Sequence, residues 1–448
     1  MAVATLPPGP RVPLFGSLVG PGRDPLQLLT RFARDYGDVT FFKLGGERCY
    51  FVNHPQYVRD VLVTNQRNFT KSRGLERAKK LLGEGLLTSE GQTHLRQRRL
   101  IQPAFHRERI AGYGRVMVDH AARMRDRWQD GRTFDVAKEM MRVTLAIAGK
   151  TLFDTDVESK ADEVGVAVTE VLESFWLNLL PGADYLERLP IPQLRRANAA
   201  RRRLDTLIYQ MIADRRRSGR DHGDLLSMLI AAVDDEGTAR GGMTDQQVRD
   251  EAITLLLAGH ETTANALTWT FYLLSQNPAA VALLREEVQR VVGGRLPSVS
   301  DLANLVYTRR VVTEAMRIYP PAWLLGRRAI GSFALGEYDV PPRSMIFMSP
   351  FVMHHDARFF VNPDQFNPNR WTPEFEASLP KFAYFPFGGG ARQCIGEQFA
   401  WMEAILVLAT VAQRWMLHVV PGQRIVLQPL ATLRARYGIK VTPEPHKP

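Results

Sequence analysis

This sequence predicts a single large domain, mainly α with small β-sheets attached, and three observations carry the prediction. Helical periodicity dominates residues 55–316. The alternating, strand-like runs are short and confined to residues 39–52 and the stretch beyond Pro320. The breaks between helices are local: Gly83 and Gly85, Pro181-Gly182, residues 190–192 and the polar stretch 234–242. None reads as an interdomain linker and no internal repeat is evident, so residues 1–448 are taken as one unit.

Residues 1–22 form a proline-rich lead with Pro7, Pro8, Pro10 and Pro13. The lead lacks the roughly 18 consecutive apolar residues of a membrane span, and it has no signal-peptide pattern. The expectation is a cytoplasmic protein with no transmembrane anchor. Residues 24–36 read as a helix and residues 39–52 as two strands joined at Gly45-Gly46. The longest helix is expected to start at Thr244, with Gln247 completing a capping box, and to stop at Asn277-Pro278. Thirty-odd residues at ~1.5 Å each make a rod of about 50 Å, long enough to cross the domain and line a buried site near its middle. Past Pro320 come short strands and proline-rich loops, then a helix over residues 396–413.

Hydrophobic residues make up 45% and charged residues 23%, which excludes disordered and fibrous classes. Cys49 and Cys394 are the two cysteines, too few for a disulfide framework or an all-cysteine metal cage, and they point to a reducing compartment. Cys49 sits in the alternating run 48–52 and reads as a strand-buried structural thiol. The net charge of +11 would suit nucleic acid, anionic lipid or an acidic protein partner, and alone separates none of these.

Chemistry concentrates first in Phe385-Pro386-Phe387-Gly388-Gly389-Gly390-Ala391-Arg392-Gln393-Cys394-Ile395-Gly396, which runs into an apolar helix. A cysteine just ahead of a helix N-terminus is biased toward thiolate, the form that binds metal. Glycines permit the tight turn and close backbone approach, Phe387 can shield the sulfur, and Arg392 can pair with an acidic cofactor group. A glycine-rich loop with an incidental cysteine would explain a lone Cys-x-Gly, but not the whole pattern. Phe387-x-x-Gly390-x-Arg392-x-Cys394-x-Gly396 resembles the haem-ligand loop of the cytochrome P450 family. The resemblance implies the P450 fold, haem b (iron protoporphyrin IX) as cofactor, and Cys394 as the proximal iron ligand, a thiolate that favours O–O cleavage.

Three further segments match the same family in its order. Glu314 and Arg317, three apart on one helix face, would by themselves be an ordinary ion pair. With the later segment Phe366-Asn367-Pro368-Asn369-Arg370-Trp371 the resemblance makes Glu314, Arg317 and Arg370 a structural triad. Ala258-Gly259-His260-Glu261-Thr262-Thr263 lies mid-way along the long helix, and there a threonine bonding back to the preceding turn, Thr263 for instance, is the bland account. The resemblance assigns more: Ala258 and Gly259 leave room for dioxygen, while Glu261 and Thr262 support proton delivery. In Glu90 to Arg99, His94 and Arg98 share one helical face, and Arg96 points nearly opposite. By resemblance His94 and Arg98 hold the haem propionates together with Arg392 and Arg327, the latter preferred to Arg328 on spacing.

The family implies a monooxygenase that uses O2 to oxidise a lipophilic small molecule such as a fatty acid, terpenoid or steroid. The sequence ends at Pro448, so the expected electron source is a separate ferredoxin or flavodoxin with its reductase. An acidic carrier would dock near Arg96 and Arg99, and no nucleic-acid role is expected. A haem-thiolate peroxide isomerase or dehydratase and a haem-based sensor are the alternatives, and Thr262 with its neighbouring acid argues against both. The segments expected over the pocket are residues 71–87, 175–180, 322–325 and 430–433, rich in leucine and suited to an apolar guest.

Overall fold

A computed structural model describes residues 6–10, 24–44, 46–105, 107–154, 164–167, 170–171, 191–232 and 243–446. The helices of seven residues or more are α1 (Pro25–Tyr36), α2 (Arg73–Leu82), α3 (Gly91–Ile101), α4 (Arg107–Asp126), α5 (Val136–Phe153), α6 (Pro192–Ser218), α7 (Leu225–Ala231), α8 (Asp245–Ser275), α9 (Pro278–Val291), α10 (Val306–Ile318) and α11 (Glu397–Ala412). The strands are β1 (Val39–Leu44), β2 (Glu47–Val52), β3 (Phe69–Lys71), β4 (Phe134–Asp135), β5 (Leu325–Ala329), β6 (Phe333–Leu335), β7 (Tyr338–Val340), β8 (Met345–Met348), β9 (Trp415–Val419), β10 (Leu427–Pro429), β11 (Leu433–Ala435) and β12 (Lys440–Pro445). Helices dominate and the sheets are small, as the periodicity predicts.

Local chemistry sets the ends of these elements. Asp24 caps α1 by accepting from the Leu26 and Gln27 amides, and Gly37 closes it at φ 82°. Thr244 and Gln247 form the expected reciprocal box at the start of α8: the Gln247 amide donates to Thr244 Oγ1 at 3.2 Å and the Thr244 amide to Gln247 Oε1 at 3.0 Å. The helix stops at Ser275, and Pro278 opens α9. β1 and β2 pair antiparallel with Leu44 opposite Glu47; Gly45 of the expected Gly45-Gly46 junction lies outside the described residues. Cys49 is buried in β2, where burial pushes its thiol up to about 12.

The largest sheet runs β1-β2-β8-β5-β3, with β2 and β8 parallel and the other neighbours antiparallel. It sits beside the helices and brings Lys71 opposite Arg327. A second sheet runs β4-β12-β9, and β10 pairs with β11 as a hairpin.

The long helix crosses two separate apolar cores. Residues from Val248 to Leu257 pack with α2, α6 and α7, whereas residues from Ala264 to Leu274 pack with α4, α5, α10 and α11. The polar stretch 258–263 lies where one core ends and the next begins. A helix buried on nearly all sides would otherwise read as uniformly apolar.

The expected triad is assembled around one carboxylate. Arg317 donates to both oxygens of Glu314, Nε to Oε2 at 2.8 Å and Nη2 to Oε1 at 2.9 Å, and both side chains are 0% exposed. Arg370 Nε, the Asn367 amide and Trp371 Nε1 add bonds of 2.9, 3.0 and 2.8 Å. Arg317 also reaches the carbonyls of His354, Pro363 and Gln365. In turn His354 Nε2 accepts from the Phe385 amide at 3.0 Å, which ties the node to the start of the cysteine loop.

A buried ion left without its partner costs about 3–5 kcal/mol. Glu314→Ala should therefore destabilise the fold by about that amount and lower its capacity to retain haem. Urea unfolding read by circular dichroism, alongside haem retention during gel filtration, checks this.

Candidate active site

Between Val248 and Phe271, α8 keeps accessible surface at Ala258, Gly259 and Thr262 alone. Their spacing of one and four residues makes a single stripe on an otherwise buried rod. Thr262 Oγ1 donates to the Ala258 carbonyl at 2.6 Å, so the backward bond that the sequence suggests for Thr263 falls on Thr262. Thr263 instead lies beside Glu403 of α11. Burial drives that carboxyl well above the usual carboxylate range, and the Thr263 side chain draws it back only in part. Glu261, also buried, turns away to the β10–β11 hairpin, where its Oε1 accepts from Thr432 Oγ1 and Arg434 Nε.

The cysteine loop is held by its backbone. The Cys394 amide donates to the Phe387 carbonyl at 3.0 Å and the Gln393 amide to the Gly390 carbonyl at 3.1 Å. Gly390, at φ 69°, lies so close to the Leu62 carbonyl that a Cβ would stand 1.9 Å from its oxygen. The glycine requirement there comes from the neighbouring chain, not from approach to the sulfur. Phe387 is half-buried against Trp401, with ring centroids 5.7 Å apart, and Gly396 precedes the first turn of α11.

Cys394 is enclosed by protein and yet accessible, the signature of a group on an interior wall. Burial pushes its thiol up to about 11; the Gly396 amide and Arg98 pull the other way, and Glu397 adds to the rise. A bound cation removes that proton outright when the thiol coordinates it.

Beside the cysteine loop the fold gathers positive charge. Arg98 Nη1 donates to the Gln393 carbonyl at 2.8 Å. Arg392 Nη1 donates to the Ser89 carbonyl at 3.0 Å, and its Nη2 pairs with Glu90. Lys71 Nζ, buried, donates to the carbonyls of Leu86 and Ser89 at 2.7 and 3.0 Å. Strand alternation turns Arg328 outward to Glu76, 3.6 Å away, and Arg327 inward toward Arg392 and Glu90. Burial, then the repulsion of Arg392, lowers Lys71 to about 7 and Arg327 to about 10. His94 joins the same group, held down to about 3 by burial first and then by Arg392, Lys71, Arg98 and Arg327.

So many crowded cations with Glu90 as their acidic partner fit a guest that carries negative groups, as the two propionates of haem do. Lys71 and Glu90 were not picked out as site residues from the sequence, because Lys71 reaches the cluster only through the pairing of β3 with β5. Thr432 and Arg434 were missed for the same reason: their contacts with Glu261 span more than 170 residues of chain. Among the expected roof segments, residues 175–180 lie outside the described residues.

The sequence model of cytochrome P450 matches residues 6–443. The chain belongs to the cytochrome P450 family. Cyclooctatin synthase of Streptomyces melanosporofaciens is 42% identical over 98% of this chain and 95% of the relative. Cyclooctat-9-en-7-ol 5-monooxygenase of the same organism is 39% identical over 92% and 89%. Pentalenene oxygenase of Streptomyces avermitilis is 35% identical over 96% and 95%. This P450 is a haem-dependent monooxygenase that uses haem b, dioxygen, redox partners and a lipophilic substrate. Among the described residues, no helix is long and apolar enough to cross a membrane.

Because His94 is held below its ordinary 6.5, folding excludes a proton between about 3 and 6.5. The stability supplied by its neutral form is full above 6.5 and is lost as pH falls toward about 3. His94→Gln should flatten the rise of unfolding free energy with pH across that window. Urea titrations of haem-free protein at stepped pH values measure it.

Proposed function

We infer that this P450 inserts one oxygen atom into a cyclic alkene or alkenol of the terpenoid class. The observation that carries the reading is the near full-length likeness to relatives named for pentalenene and cyclooctat-9-en-7-ol. Fatty acids and steroids, the other classes open from the sequence, have no such support. Relatives named as monooxygenase and oxygenase likewise speak against a peroxide isomerase or a sensor.

In this reading Cys394 would hold the haem iron through its sulfur, and the haem would supply the chemistry of dioxygen cleavage. His94, Arg98, Arg327 and Arg392, with Lys71 added by the fold, bind the two propionates. Ala258 and Gly259 keep the stripe of α8 low enough for dioxygen and substrate to approach. Thr262 holds a proton on Oγ1, directed in the structure at the Ala258 carbonyl. Glu261 renews that proton, and the apolar surroundings on both sides of residues 258–263 exclude bulk water. Phe387 shields the sulfur, and Gly396 lets the chain turn directly into α11. Glu314, Arg317 and Arg370 act as scaffold.

Adding pentalenene-like hydrocarbons or cyclic alkenols should shift the haem absorption spectrum, with fatty acids and steroids giving weaker shifts. Mass spectrometry should then find a product one oxygen heavier. Cys394→Ser should lose the thiolate-type spectrum of the reduced carbon monoxide complex. A spectral response to fatty acids alone would redirect the substrate assignment.

Thr262→Ala should bind haem and substrate but release hydrogen peroxide in place of product, since protons would no longer be guided to one oxygen atom. Product formed per electron consumed should fall about tenfold. Equal coupling in parent and variant would remove Thr262 from the relay.

Electrons enter, in the same reading, from an acidic ferredoxin or flavodoxin docked over α3 near Arg96 and Arg99. The support is positional: Arg98 on the same helix touches the carbonyl of Gln393, next to Cys394, while Arg99 is exposed and Arg96 half-buried. Attraction between a basic face and an acidic carrier is screened over about 8 Å at physiological salt. Reduction should slow as salt rises, and Arg96→Glu with Arg99→Glu should slow it at low salt with substrate binding unchanged. Stopped-flow reduction of parent and double variant compares them directly.

A further inference from the structure

Glu261 and Thr262 are neighbours in sequence, so their side chains leave α8 about 100° apart. Thr262 belongs to the accessible stripe, and Glu261 belongs to the hairpin. One carboxyl oxygen of Glu261, Oε1, accepts from Thr432 Oγ1 at 2.5 Å and from Arg434 Nε. The other, Oε2, is buried and makes no hydrogen bond among the described residues. One and two turns further along α8 the same hairpin is held again. Asn265 Nδ2 donates to Thr432 Oγ1 at 2.9 Å and Trp269 Nε1 to the Leu433 carbonyl at 2.9 Å. From the opposite side Trp323 Nε1 donates to the Leu430 carbonyl at 2.9 Å, and the Leu433 amide to the Pro321 carbonyl at 3.0 Å. Glu261 is therefore the first rung of a clamp between α8 and a hairpin expected to lie over the substrate.

We propose that Thr432 and Arg434 are positioning residues for oxygen activation: they hold the Glu261 carboxylate on the hairpin, and its release from them toward the Ala258–Thr262 stripe sets the rate of proton delivery. The proposal rests on Thr262 and Glu261 acting as the relay. It makes the hairpin a double agent, since residues 430–433 would meet the substrate while residues 432 and 434 restrain the acid. What lies under the hairpin then governs how readily the acid is freed.

The groups around Glu261 support this arrangement. Arg434 is the cation paired with it from the hairpin. On its own helix His260 is buried with neither ring nitrogen bonded among the described residues, and burial, then Arg434, lowers it to about 3. From α5 comes the Thr144 hydroxyl, which donates to the His260 carbonyl at 3.0 Å, and from α11 the buried Glu403 beside Thr263, its carboxyl pushed up by burial. Removing Arg434 thus leaves a buried carboxyl without a compensating charge, and such a group keeps its proton to higher pH.

Infrared spectra of the ferric holoenzyme at stepped pH, with Glu261→Gln as the reference, isolate the protonated-carboxyl band of this one residue. In Arg434→Gln the band should persist to a pH higher by about one unit or more. Arg434→Lys should restore the parent behaviour, and Thr432→Val should move the band less. In turnover, Arg434→Gln should shift the pH dependence of product formed per electron in the same direction, with hydrocarbon binding unchanged. A band that stays put in Arg434→Gln, or that Arg434→Lys fails to restore, reduces Arg434 and Thr432 to structural contacts and overturns the proposal. Should Arg434→Gln fail to hold haem, Arg434→Lys and Thr432→Val are compared in its place. Failure of the relay itself looks different: Thr262→Ala would stay coupled while the infrared shift persisted, which overturns the release step and leaves a clamp alone.

Discussion

The architecture hangs on a carboxylate that water never reaches. Glu314 carries its charge in a fully buried position, and the fold tolerates it because four residues converge on its two oxygens. A buried charge of this kind is expensive unless every lone pair finds a donor. Satisfying it forces α10 and the segment around residues 367–371 into one arrangement. Arg317 extends the constraint through the His354 carbonyl, and the ring of His354 passes it to the amide of Phe385. From there the Phe385 and Phe387 carbonyls organise the loop that ends at Cys394. The position of the sulfur is thus set by electrostatics some distance away from it.

A second constraint acts in the opposite sense. Around His94 the protein collects Lys71, Arg98, Arg327 and Arg392; burial lowers the proton affinity of every one of these groups, and repulsion by neighbouring cations lowers Lys71, His94 and Arg327 further. Glu90 offsets part of that repulsion. Where Glu314 is a charge fully satisfied by its own fold, this cluster is an excess of one sign that an anionic cofactor would relieve. Stability is given up locally so that binding can recover it, a common arrangement at functional sites.

The long helix joins these two regions to the substrate side. Its two apolar halves are gripped by different cores, and between them it needs no apolar contact from residues 258–263. That freedom is what lets small and polar residues occupy the middle of a buried rod. It also explains why Glu261 and Thr262, adjacent in sequence, serve different surroundings: the helical turn sends one to the accessible stripe and the other to the β10–β11 hairpin.

By itself the sequence determined what depends on neighbours along the chain. The capping box at Thr244 and Gln247, the helix over residues 24–36, the two strands within residues 39–52 and the buried strand position of Cys49 are all local in origin, and each was legible. The same is true of the spacing of Phe387, Gly390, Arg392, Cys394 and Gly396, because a loop followed by a helix is encoded in consecutive residues. Tertiary structure alone decided where distant side chains meet. Which of Arg327 and Arg328 turns inward depends on how β5 pairs with β3 and β8, and the arrival of Lys71 depends on the same register. How far protein encloses the Cys394 thiol likewise depends on the closed fold and not on its neighbours along the chain. The hold of Thr432 and Arg434 on Glu261 links residues more than 170 positions apart, so no pattern in the chain announces it. Short-range hydrogen bonding and periodicity act within a few residues, whereas burial and charge pairing are set only once the chain has closed on itself.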